Sequence, residues 1–440
     1  MPCGYLSGWA PVKPITDNPN AAPEPEPEPP KPPEPPDAGG LRWAMLAGVW
    51  LIYCAFGLVA ASLAPLVALV VRDLQLSHAA MGSILGAWQL VYIASAIPCG
   101  MLLDRLGPRR ALAIGALLIA ASGFARSLAV DYTDLLVAVM IFGLGGPIVS
   151  AGAPKVIAQW FAGKDRGLAM GIYITGPSIG GVVSLTLTHP VLLPAFDGNW
   201  RGVIGLWAGF SVLAAITWFV IASHRDARAM ENAEQQQIRP PQLATMKLLL
   251  REPAVRIVML MSVGVFLINH GLNNWLPELL RNGGMTLVQS GLWAAIPTVV
   301  GIAASLVIPR LATPGRRFQI LFWLCVMSAC ATVLLQTISP LPLTVGLLMQ
   351  GIARSTMMTV LILTLVELPG IGRQHAGTAG GLFFSAAEVG GVLGPLSLGV
   401  LYDYTGNFSL GLMMFTVAAI ALAITTRRLQ TRVGTDKPAA

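Results

Sequence analysis

From Trp43 onward the chain is a succession of apolar blocks separated by short polar turns, and each block has the roughly 20 residues that an α-helix needs to cross a hydrocarbon core of about 30 Å. Twelve spans can be drawn, near 43–71, 78–102, 111–130, 134–159, 167–190, 201–222, 255–276, 287–309, 318–338, 341–366, 376–400 and 407–426. Backbone groups in lipid must be satisfied internally, so only helices or a closed barrel can span a bilayer, and the alternating pattern of a barrel is absent. Charged residues make up 11% of the chain, against about a quarter in soluble proteins, which excludes a soluble enzyme. The expected class is an all-α membrane protein.

The net charge of +7 does not point to nucleic acid, because the basic residues stand in short clusters between apolar blocks. Arg72, Arg126, Arg201 and Arg281 fall on one side of the spans, Lys155 and Arg354 fall inside them, and the rest of the 28 basic residues fall on the other side. Positive charge gathers on the cytoplasmic face, so both termini are expected there, in a multi-pass protein of the plasma (inner) membrane. Arg126, near a span end, reads as a side chain that snorkels to the interface. The longest polar interruption, 223–254, serves as a cytoplasmic linker between two six-helix bundles at 41–222 and 255–428, with a C-terminal tail at 429–440. Residues 1–40 are rich in Pro and Glu and too poor in apolar groups to be expected to order. The five cysteines have no disulfide or metal spacing, and no catalytic set or nucleotide-binding loop occurs. No cofactor, metal or enzyme activity is expected, and transport would draw on solute or ion gradients.

Sliding one half on the other by 210 residues places Gly167, Ala169, Gly171, Gly180 and Gly181 on Gly377, Ala379, Gly381, Gly390 and Gly391. Two halves repeating in the same direction fit a carrier whose halves rock about a central path. Between spans 2 and 3 the chain reads Gly100-Met101-Leu102-Leu103-Asp104-Arg105-Leu106-Gly107-Pro108-Arg109-Arg110. Glycine there allows a turn and close helix approach, and Asp104 can take charge-assisted hydrogen bonds. The second half keeps Pro314-Gly315-Arg316-Arg317 but has Leu311 where the acid would stand. Span 5 carries Gly176-Pro177-Ser178-Ile179-Gly180-Gly181, which reads as a bendable helix with a face small enough for close packing.

These motifs, with Trp160-Phe161, Arg166 to Gly171 and Asn199-Trp200-Arg201, resemble those of the major facilitator superfamily over about residues 43–428. The resemblance implies twelve helices in two six-helix bundles with pseudo-two-fold symmetry. It also implies a conformational latch at Gly100, Asp104, Arg105, Gly107, Arg109 and Arg110, and a flexing fifth span at Gly176, Pro177, Gly180 and Gly181. The Trp-Leu-Pro after span 7 and the glycine-rich spans 5 and 11 are most similar to cyanate- and nitroimidazole-type carriers.

Charge at mid-membrane costs about 2.5–3.5 kcal/mol and calls for a reason. Arg354 in span 10 is expected to bind an anionic solute, and Glu388 in span 11 to carry a proton or act as a counter-charge; a permanent ion pair between them, or a Glu388 facing a polar helix contact, is the structural alternative. Gln350, Asn273, Asn274, His270, Trp88, Gln89 and Tyr92 are further candidates for the cavity wall, with interhelical hydrogen bonding as the alternative, and His270, Asn273 and Asn274 fall near the outer mouth. Lys155 is either a snorkelling residue or a guide for anions. The expected activity is proton-linked secondary transport of a small organic or inorganic anion by a monomer in the bilayer. Drug or amphiphile efflux, and a sensor or scaffold acting through the Pro/Glu-rich tail, are the rivals.

Overall fold

The computed structural model of the protein describes residues 39–234, 249–313, 315–337, 339–366, 368 and 372–435. The Pro/Glu-rich segment up to 38, linker residues 235–248 and the last five residues of the expected C-terminal tail lie outside the described residues.

Each apolar block is helical, as lipid demands of a backbone that must bond to itself. In chain order the helices are α1 (Gly39–Ala61), α2 (Val67–Asp73), α3 (His78–Leu128), α4 (Tyr132–Trp160), α5 (Gly163–Tyr173), α6 (Thr175–Leu187), α7 (Leu193–Ala195) and α8 (Trp200–Ala222). After α9 (Arg225–Glu234), which occupies part of the linker, come α10 (Pro253–Asn282), α11 (Leu287–Leu311), α12 (Arg317–Leu334), α13 (Pro340–Val366), α14 (Gly372–Thr405) and α15 (Ser409–Thr435). Polar caps begin several of them. Ser77 accepts from Ala80 N, Asp131 from Asp134 N, and Thr286 with Gln289 forms a capping box.

At 51 residues α3 would run about 75 Å if straight, far more than a bilayer core. It doubles back at Gly107, whose φ of 75° and ψ of 163° are non-helical. Both arms then border one stretch of α4: a Cβ on Gly143 would stand 2.3 Å from Trp88 O, and one on Gly145 would stand 2.7 Å from Gly115 O. Among the described residues eleven helices are long and apolar enough to cross a membrane, and counting the two arms of α3 separately recovers the twelve expected spans.

The duplication reappears as packing. Gly180 on α6 lies against α1, where a Cβ would be 2.2 Å from Cys54 O. Its repeat partner Gly390 on α14 lies against α10, where a Cβ would be 1.9 Å from Val263 O. Only hydrogen fits at either place, so the glycine-rich faces of spans 5 and 11 are explained by backbone approach. The break in span 5 comes at Ile174, between α5 and α6; Pro177 has no N–H to offer the carbonyl of Tyr173.

Candidate functional site

Phe56 on α1 and Trp88 on the first arm of α3 lie edge to face at 6.4 Å, and Phe142 backs both of them. This aromatic wall belongs to the N-terminal half and faces α10, α11 and α13 across a cavity of about 530 Å³. Met170, Thr175, Pro177 and Ser178 continue the N-terminal wall, while Asn269, His270, Asn273, Asn274, Thr298, Ser305, Arg354, Ser355 and Thr359 furnish the opposite one. Most of the polar lining therefore comes from the C-terminal half.

Arg354 is held from two neighbouring helices. Its guanidinium donates to Asn273 Oδ1 on α10 and to Thr298 Oγ1 on α11, at 2.9 Å for the latter. Neutral partners fix its direction without cancelling its charge, and the rest of its five N–H donors stay available. Among the described residues no ion pair joins it to Glu388, which leaves a Glu388 at a polar helix contact as the structural alternative. The side chain of Glu388 is 4% exposed and is absent from the cavity lining; its Oε2 has no hydrogen-bond partner among the described residues. It sits in the seam between α14 and α3, where a Cβ on Gly391 would be 2.6 Å from Glu388 Oε2 and 2.9 Å from Gln89 Cγ.

Trp88, His270, Asn273, Asn274 and Arg354 line the cavity as the sequence reading expects. His270, Asn273 and Asn274 stand within the cavity wall, and Asn273 accepts from Arg354. The other candidates lie elsewhere. Gln89 is fully buried in the seam, its Nε2 donating to His270 Nδ1 at 3.1 Å. Tyr92 bonds through its hydroxyl to Ser150 Oγ at 2.8 Å, and Gln350 is buried with its Oε1 unpartnered. Lys155 pairs with Asp104 at 3.1 Å, which ties the end of α4 to the α3 turn and takes its charge away from the cavity. Arg126 does not snorkel: it is 1% exposed, donates to Val59 O at 2.8 Å and to Ser62 Oγ at 3.3 Å, and lies over the Phe142 ring.

Thr298 is a lining residue that reading the sequence by charge overlooks. Its signal was present, because the 210-residue offset places it on Trp88. The hydroxyls Thr175, Ser305, Ser355 and Thr359 carry no comparable signal, since small polar residues recur throughout the spans.

At one end the halves are bound together. The carboxylate of Asp403 on α14 accepts from His78 N at 2.9 Å and from Ala79 N at 2.7 Å, the first free N–H groups of α3. The His78 ring lies 4.0 Å from that of Tyr402, and Pro395 O is near enough to Gly82 that a Cβ there would be 2.5 Å away. At the other end lies the α3 turn, where Trp218 Nε1 donates to Arg109 O at 3.0 Å and Arg166 caps α4 by donating to Phe161 O at 2.7 Å. A Cβ on Gly100 would meet nothing within 4 Å, so the turn depends on Gly107 and not on Gly100. Among the described residues no cluster of His, Cys, Asp or Glu could hold a metal.

Comparison with known proteins bears on this geometry. The chain is 29% identical over 250 residues to a protein named as a probable L-galactonate transporter of Escherichia coli K12, covering 54% of each chain, about half of that relative's length. It is 26% identical over 379 residues to a quinolone resistance transporter of Acinetobacter baumannii, covering 79% of this chain and 84% of that one. It is 23% identical over 356 residues to a hexuronate transporter of Bacillus subtilis, covering 77% and 82%. In fold it matches a crystal structure of a bacterial homologue of the human lysosomal transporter Spinster, with a TM-score of 0.74 at 15% identity over 91% of this chain and 99% of that one. The model of the Major Facilitator Superfamily matches residues 49–395. With its all-helical duplicated fold and a cavity between the halves, the chain belongs to the Major Facilitator Superfamily, as a membrane transporter and not an enzyme.

Proposed function

We propose that the protein is a secondary carrier of a small organic anion of the sugar-acid type, taken up across the inner membrane with protons by alternating access, with both termini cytoplasmic and the monomer as the working unit. The observation that carries this reading is Arg354, a guanidinium on the cavity wall held by Asn273 and Thr298, with no carboxylate among the described residues of the lining. A charge left unneutralised in a membrane protein is costly unless something pairs with it, and an anionic solute would do so. The names of the galactonate and hexuronate relatives support a sugar acid over cyanate or a nitroimidazole. Glu388, in the seam beside Gln89, which reaches His270 on the cavity wall, is our choice for the residue that gains and loses the proton. The Asp104–Lys155 pair and the turn around Gly100, Arg105, Gly107, Arg109 and Arg110 act in this reading as the latch between conformations.

Uptake of hexuronate and galactonate into proteoliposomes, with and without an inward proton gradient, tests the reading. Arg354→Gln is expected to weaken solute affinity about 10–100-fold, the loss of a charged hydrogen bond worth about 1.5–3 kcal/mol, with partial recovery in Arg354→Lys. Glu388→Gln should keep solute exchange while losing accumulation driven by the gradient. Uptake that survives Arg354→Gln unchanged would sink the proposal.

A second reading is efflux of amphiphilic drugs, favoured by the quinolone-resistance relative and by Phe56, Trp88, Met170 and Met358 in the cavity wall. It predicts that such compounds compete for the site and that Arg354→Gln leaves their flux intact.

A further inference from the structure

Three of the lining hydroxyls have already committed their hydrogens. Ser305 donates to Ile302 O at 2.8 Å, Ser355 to Gly351 O at 2.9 Å, and Thr175 to Ile172 O at 2.7 Å, each to its own helix. Asn274 directs one of its two amide N–H donors at His270 O, at 2.9 Å. What the three hydroxyls, and the amide oxygen of Asn274, can still offer a solute is lone pairs, and lone pairs accept from hydroxyls but repel a carboxylate. Against them stands Arg354, the one residue with a fixed charge among the described residues of the lining. His270 adds no fixed cation as placed, because its Nδ1 faces the amide N–H of Gln89 and accepts only in the neutral ring.

We infer that the cavity selects polyhydroxylated monocarboxylates: one carboxylate docks on Arg354, and the solute's hydroxyls donate to the acceptor shell formed by Ser305, Ser355, Thr175 and Asn274. The inference rests on the anion reading above and narrows it. A diacid would leave its second carboxylate facing acceptors with no cation to pair, at the cost of desolvating an unpaired charge once the halves close. An alkyl monoacid would keep the Arg354 contact but leave the acceptor shell unpaired in a cavity that has expelled its water.

Competition against a radiolabelled six-carbon sugar monoacid in proteoliposomes of the full chain separates these cases, with galactonate, galactarate and hexanoate as the competitors. Galactonate should compete best, with galactarate and hexanoate each weaker by at least about tenfold, since one good charged or buried polar pairing is worth about 1.4 kcal/mol or more. Ser305→Lys, which places a second cation on the neighbouring helix α11, should raise the galactarate-to-galactonate affinity ratio. Galactarate binding as tightly as galactonate overturns the single-charge rule while leaving the anion site standing. Hexanoate matching galactonate overturns the hydroxyl shell. If no acid competes, the anion reading itself has failed, and this inference with it.

Discussion

At the residue scale, Gly107 and Gly100 show how far a motif can be read without coordinates. Both glycines belong to one signature, yet only Gly107 sits at a positive φ, in a region of backbone space that is nearly glycine's alone. Gly107→Ala should cost about 1–3 kcal/mol and lower the melting temperature of the purified protein in detergent, whereas Gly100→Ala should leave it in place. Equal melts for both would mean that the turn is not set by that dihedral. Arg354 was legible because charge inside a span is rare. The fates of Lys155 and Arg126 were not, because their partners Asp104 and Val59 are 51 and 67 residues away in sequence and adjacent only after folding.

Among the elements, spans were easy to place from length and hydropathy, and faces were hard. A helix apolar around most of its circumference gives no periodic signal for which side meets a neighbour, which is why cavity lining and interhelical bonding could not be told apart for Gln89 and Tyr92, which bond to His270 and Ser150 on other helices. The glycine-rich helices were the exception. Their matched offset identified α6 and α14 as counterparts, and both press a bare backbone onto the first helix of their half. Gly390→Ala, forcing a methyl to within 1.9 Å of Val263 O, should destabilise by about 1–3 kcal/mol through overpacking. Gly380→Ala on the same helix, where nothing lies within 4 Å, should not. Thermal melts of the two variants, compared with the parent, decide the point.

For the whole molecule, the two halves meet most firmly where Asp403 receives the first N–H groups of α3. A carboxylate at a helix N-terminus combines charge-assisted hydrogen bonds with the positive end of the helix dipole, worth about 0.5–2 kcal/mol as a cap. Asp403→Asn should therefore shift the population toward opening at that end by about 5–30-fold if the loss reaches 1–2 kcal/mol. Spin labels at Arg72 and Tyr404, on exposed positions flanking the closure, would report a longer distance distribution; an unchanged one would show that the cap does not hold the halves together.

That sealed end also determines how the carrier must look kinetically from its two faces. Under the proposed alternating access, a solute approaching from the Asp403 side must wait for that closure to part, so its apparent dissociation constant is the intrinsic one divided by the fraction of molecules standing open there. Half-saturation measured from that face should exceed the value measured from the Asp104 face by the same ratio, even though a single pocket serves both.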